Sequence, residues 1–162
     1  MSQLPAEIAS LIEAYERGPE LLKAAVRKFP ANRLADPLPP GEWSVLQIVC
    51  HLSDFEVVFA DRLKAVVAED GPQLPVRDEN RFSARLHYEN RQISDELELI
   101  ALIRRQVAQL LRSLNADDFR RVGIHSEAGP LTLQQLLARI GGHLPHHAEF
   151  IERKLQLLSK SA

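Results

Sequence analysis

A chain of 162 residues, 45% hydrophobic and 26% charged, can bury an adequate core without staples and fits a single domain over residues 1–162. Its formal net charge of -2 gives no reason to expect nucleic acid or an anionic membrane as a partner. One cysteine, Cys50, excludes an internal disulfide. The first ten residues lack the basic and apolar runs of a secretory signal, and no apolar run approaches the roughly 20 residues that span a bilayer, so a cytoplasmic protein is expected.

Apolar residues at alternating three- and four-residue spacing predict four amphipathic helices. The first carries Leu4, Ile8, Leu11, Tyr15, Leu22, Ala25 and Phe29, and Gly18-Pro19 should kink or split it. Pro37, Pro39 and Pro40 exclude helix between Pro30 and Gly41. The second helix carries Val45, Ile48, Leu52, Phe55, Phe59, Leu63 and Val66. A connection from Gly71 to Ala84 follows, with two prolines and mixed charges. The third helix carries Ile93, Leu97, Ile100, Ile103, Val107, Leu110 and Leu114. In the next connection, Asn115 to Pro130, the stretch Arg121-Val122-Gly123-Ile124 reads as a short strand or hairpin. The fourth helix carries Leu133, Leu137, Ile140, Leu144, His147, Ile151, Leu155 and Leu158. At about 1.5 Å per residue, the second and fourth helices should each be on the order of 40 Å long. Ser44 with Gln47, and Thr132 with Gln135, fit the capping box that opens a helix. The fold class expected is all-α, a four-helix bundle with long crossover loops.

The same stripes sort the histidines. His143 and His147 are four apart on the fourth helix, so their rings project from one side, one turn apart. His147 is a seam position, and His51 flanks the seam of the second helix. His146 falls on the polar face and should be solvated. Three imidazoles from two helices can hold one divalent ion and leave coordination positions open, the mark of a reactive site. The alternative is three core histidines, each satisfied by a hydrogen bond. Asp54, one turn after His51, is a candidate to orient a ligand or to be a fourth one; otherwise Asp54 and Glu56 pair with a cation such as Arg62 or Lys64. Cys50 is read as packing, Trp43 as a staple at the start of a ligand helix, and His87 and His125 as loop residues.

The segment from Gly41-Glu42-Trp43-Ser44 to His51-Leu52-Ser53-Asp54-Phe55-Glu56 resembles the Trp-Ser…His-Leu-x-Asp-x-Glu signature of the DinB-like superfamily. Gly142-His143-Leu144-Pro145-His146-His147 resembles its second motif, a His-x-x-His-His ending. Arg121 to Leu133, with His125, Gly129 and Thr132, resembles the family's run into its last helix, and the likeness extends from about Pro37 to Leu155. It implies a four-helix bundle, commonly dimeric, whose three histidines hold a divalent metal, zinc or nickel. Carried over by position, the ligands are His51, His143 and His147. Its members include S-transferases and isomerases that use low-molecular-weight thiols, and proteins described only as metal-dependent hydrolases. Two positions depart from the pattern. Pro145 between the ligands should kink the helix or displace a turn, and Phe150 stands where many relatives have glutamine.

The function expected is therefore divalent-metal-dependent chemistry on a small molecule, by thiol transfer or by hydrolysis, in a homodimer. A non-catalytic metal-binding or stress-response module of the same fold is the alternative. A carboxylate-bridged di-metal bundle ranks low, because Ile48 and Leu144 stand where its Glu-x-x-His pairs need glutamate.

Overall fold

Four long helical rods form the bundle, and the computed structural model describes residues 4–160. Helix α1 spans Ala6–Lys28, α2 Val45–Ala68 and α4 Ile93–Ser113; the fourth rod is two helices, α5 Leu133–Gly141 and α6 His143–Lys160. A short helix, α3 at Glu79–Arg85, lies in the connection between α2 and α4. Helix α1 packs on α4 and on the α5/α6 rod, and α2 packs on the same two neighbours. Consecutive rods α1 and α2 are therefore diagonal, as are α4 and α5/α6. That arrangement explains the long connections, since each must cross the end of the bundle.

The capping boxes form as the spacing predicts. Ser44 Oγ accepts from the Gln47 N–H while Gln47 Oε1 accepts from the Ser44 N–H, and Thr132 and Gln135 repeat the exchange at α5. The Arg121 stretch becomes strand β2, Val122–His125, in a hairpin with β3, Gly129–Thr132. Strand β1, Gln73–Leu74, joins β2 in parallel. Gly123 lets this sheet lie against α2: a Cβ there would stand 2.7 Å from a Val66 methyl.

Of two expectations about helix breakage one is corrected and one is met, and Arg104 donates to a backbone carbonyl at both places. Gly18-Pro19 does not split α1, which runs through it unbroken. Proline has no N–H, so the Tyr15 carbonyl four residues earlier loses its helical donor; Arg104 Nη1 supplies one at 2.8 Å. Gly18 is the space that guanidinium occupies, because a Cβ there would stand 2.3 Å from Arg104 Nη1. The fourth helix, expected to kink or displace a turn at Pro145, does break there: it ends at Gly141 and restarts at His143, since Pro145 has no N–H to offer the Gly141 carbonyl four residues earlier. Arg104 Nη2 donates to the Ile140 carbonyl at that break. Pro145 then falls in the first turn of α6, where no backbone donor is required of it.

Arg104 is fully buried, as is Glu56, whose Oε2 lies 3.0 Å from Arg104 Nε; Glu56 Oε1 accepts from the Tyr15 hydroxyl at 2.8 Å. This polar layer lies where two apolar clusters meet. One holds Ile12, Leu63, Val107, Leu111 and Leu137, at the end with the sheet. The other holds Leu22, Val49, Leu52, Ile100, Leu144 and Ile151, at the opposite end.

Candidate metal centre

The capping box at Ser44 starts α2 two turns before His51, and the break after Gly141 starts α6 at His143. Those two local events bring three rings together. His51 Nε2 and His143 Nε2 are 3.4 Å apart, and one ring nitrogen from each of His51, His143 and His147 lies within 4.8 Å of the others, a set that could hold a metal ion. Two nitrogens at about 2.0–2.1 Å from a tetrahedral ion stand about 3.4 Å apart, so the nearer pair already has the separation of ligands on one ion.

An aromatic collar surrounds them. Trp43 and Phe55 lie 5.1 and 4.6 Å from the His51 ring, and Phe59 lies 5.1 Å from the His143 ring. Burial pushes the three imidazoles down, His51 and His147 to about 4 and His143 to about 3. All three are neutral at pH 7, the state a ligating imidazole requires. The Nδ1 atoms of His51 and His143 are buried with no protein partner, so no second residue fixes their tautomer.

Most of the other expected roles hold, and the partners of Asp54 and Glu56 are what differ. Asp54 is not part of the histidine cluster: its Oδ1 accepts from Arg91 Nη1 at 2.9 Å, so it is neither a ligand nor a partner of Arg62 or Lys64. Glu56 likewise pairs with Arg104, not with those residues. His146 is exposed, as expected, and its ring packs at 4.8 Å against Phe150. His87 stays at the surface beside Glu89. Cys50 is buried, its thiol pushed up to about 12 by that burial, and its Sγ turns to the Tyr88 carbonyl. Trp43 is both a packing residue and a wall, since it shares a cavity with His147 and Phe150.

Two residues near the cluster escaped the sequence reading. Glu79, the first residue of α3, brings Oε2 to 4.0 Å from His51 Nε2. Asp78 had signalled that helix, since its carboxylate caps the N–H groups of Asn80 and Arg81. Arg62 lines a cavity with His143. Cavities of about 500 and 310 Å³ flank the centre, the larger beside His143 and the smaller beside His147.

Comparison with known proteins gives the same family. The sequence model of the DinB superfamily matches residues 14–151. A protein of Oceanobacillus iheyensis named “Putative metal-dependent hydrolase” is 30% identical, over 86% of this chain and 81% of its own length. YfiT of Bacillus subtilis, which carries the same description, is 29% identical over 86% of this chain and 79% of its own. A solved structure of YfiT, described as “a probable metal-dependent hydrolase with an unusual four-helix bundle topology”, superposes with a TM-score of 0.87 at 26% identity, covering 98% of this chain and 92% of that one. No helix among the described residues is long and apolar enough to cross a membrane. With both histidine motifs in place on a four-helix bundle, this chain belongs to the DinB superfamily.

Proposed function

We propose that this protein is a divalent-metal-dependent enzyme that hydrolyses a small molecule at His51, His143 and His147. The observation that carries the reading is the convergence of three neutral imidazoles from two helices, two of them 3.4 Å apart, between two cavities. A zinc- or nickel-type ion bound there supplies Lewis acidity, which makes a nucleophile available near pH 7. The three rings would hold that ion without cancelling its charge, since neutral nitrogen donors bring none. The collar of Trp43, Phe55 and Phe59 keeps bulk water from the ring faces. Glu79 Oε2, exposed at the rim, is placed to accept the proton the nucleophile gives up.

The relatives' descriptions support hydrolysis. Thiol transfer, the other reaction the family resemblance allows, requires a thiol from outside the chain, because Cys50 is buried, protonated and turned toward the Tyr88 carbonyl.

The test is elemental analysis of untagged protein beside a His143→Ala/His147→Ala variant. About one zinc or nickel per chain in the wild type and none in the folded variant is expected. Ester and amide panels, with and without added low-molecular-weight thiol, then separate hydrolysis from transfer. A folded wild type that is metal-free and refuses added metal overturns the reading.

A further inference from the structure

The larger cavity beside the histidine centre has a one-sided charge. Arg62, His125 and Arg139 line it together with Phe59 and His143, and no acidic residue does. Among the described residues three cationic side chains are buried: Arg62, Arg104 and Lys154. Arg104 meets Glu56 and Lys154 meets Glu42. Arg62 is only 7% exposed, yet no carboxylate of the described residues lies within 4.0 Å of it. Its Nη2 donates to the Pro75 carbonyl at 2.5 Å and its guanidinium lies 5.7 Å from the Phe59 ring centroid. Its Nε is buried with no protein partner.

An uncompensated buried charge is costly, and proteins keep one where something else completes it. Burial, and then Arg77, hold Arg62 below the ordinary guanidinium range, and the more distant carboxylates of Asp61 and Glu127 offset only part of that. Two further polar groups in the wall, His125 and Arg139, are donors as well. His125 Nδ1 accepts from the N–H groups of Glu127 and Ala128, which puts the ring proton on Nε2. Arg139 is exposed and has no carboxylate within 4.0 Å among the described residues.

We infer that the substrate carries an oxyanion, a carboxylate or a phosphate ester, and that Arg62 binds it in this cavity with His125 and Arg139. The anion would hold the molecule by one end and present the adjoining bond to the histidine centre, a step that rests on the metal-site reading above. Arginine suits the task because its planar fork matches two oxygens at once. Phe59 separates the two parts, 5.1 Å from the His143 ring and beneath the Arg62 guanidinium.

The test follows the Arg62 Nε–H signal in 1H–15N spectra of the full chain, zinc-loaded and metal-free, titrated with inorganic phosphate, with acetate, and with neutral acetamide. A saturable shift with one or both anions and none with acetamide is expected, and the tighter anion identifies which oxyanion the substrate bears. Arg139→Gln, at an exposed position, should weaken binding several-fold. Arg62→Lys, which keeps a charge able to reach Pro75, should weaken it about ten-fold or more by losing the fork. An unmoved signal at saturating anion, or equal shifts with acetamide, overturns the inference. Metal content of the same samples reports separately: bound zinc without an anion shift overturns only this inference, and an anion shift without zinc overturns only the metal reading. Should Arg62→Lys fail to fold, the wild-type signal and Arg139→Gln still decide.

Discussion

Replacing Glu56 by glutamine keeps the side chain's size and its ability to accept from the Tyr15 hydroxyl, but removes the charge 3.0 Å from Arg104 Nε. Burial pushes the Glu56 carboxyl up while Arg104 pulls it the other way. Arg104 stays charged and fully buried in the variant, so the cost is that of stranding a guanidinium in the core, about 3–5 kcal/mol. For a chain of this length that is a fall in Tm on the order of 10 °C. Thermal and urea unfolding of metal-free protein at pH 7, followed by circular dichroism, measure it. Glu56→Gln/Arg104→Met should recover part of the loss and no more, because the Tyr15 carbonyl still lacks its donor. The cycle should therefore show a coupling of about 2 kcal/mol or more. A cost below about 1 kcal/mol for Glu56→Gln, or strictly additive single variants, would refute the reasoning by showing that the carboxyl is already neutral in the wild type.

Other measurements probe neighbouring features. Gly18→Ala places a methyl 2.3 Å from Arg104 Nη1 and should destabilise by about 1–3 kcal/mol in the same unfolding assay, against near-neutrality if the guanidinium can move aside. The metal-free protein should lose stability as pH falls from 6.5 toward 4. In that window the unfolded chain binds protons that the buried histidines refuse, and above 6.5 neither state does. His51 alone, with its pKa at about 4, accounts for about 3 kcal/mol across it; a flat profile between pH 4 and 6.5 would contradict the burial. Cys50 should be silent to a thiol reagent such as Ellman's in the native state and titrate as one thiol per chain in denaturant, whereas native reactivity would show that it reaches the surface.

The local signals in the sequence carried a long way. Period and capping located α2, α4 and the opening of α5, and the i,i+4 spacing picked the two histidines that share α6 with a third facing them from α2. What escaped depended on partners distant in the chain. Nothing near Gly18-Pro19 shows that α1 continues, because the donor that repairs it lies 89 residues from Tyr15. The break after Gly141 was by contrast legible locally, because Pro145 has no N–H for the Gly141 carbonyl four residues earlier. The misplaced partners of Asp54 and Glu56 had a readable clue that went unused. Glu56, Arg62 and Arg104 each fall at seam spacing: Glu56 four after Leu52, Arg62 three after Phe59, Arg104 four after Ile100. Charged residues inside an apolar stripe are the ones to ask about first. Helix α3 buries none of its side chains, so it left no periodicity to find.

The division of the interior into two apolar clusters with ionic groups between them bears on how the molecule comes apart. Dispersion and hydration forces act within each cluster, while the layer between them contributes direction more than adhesion. Amide hydrogen exchange should accordingly resolve two cooperative units, one at the sheet end and one at the opposite end, opening at different free energies. His51 and His147 belong to the second end of the bundle, and His143 begins it where the fourth rod breaks. A cation shared among these rings would tie that junction to α2, so metal loading should draw the two exchange regimes toward one.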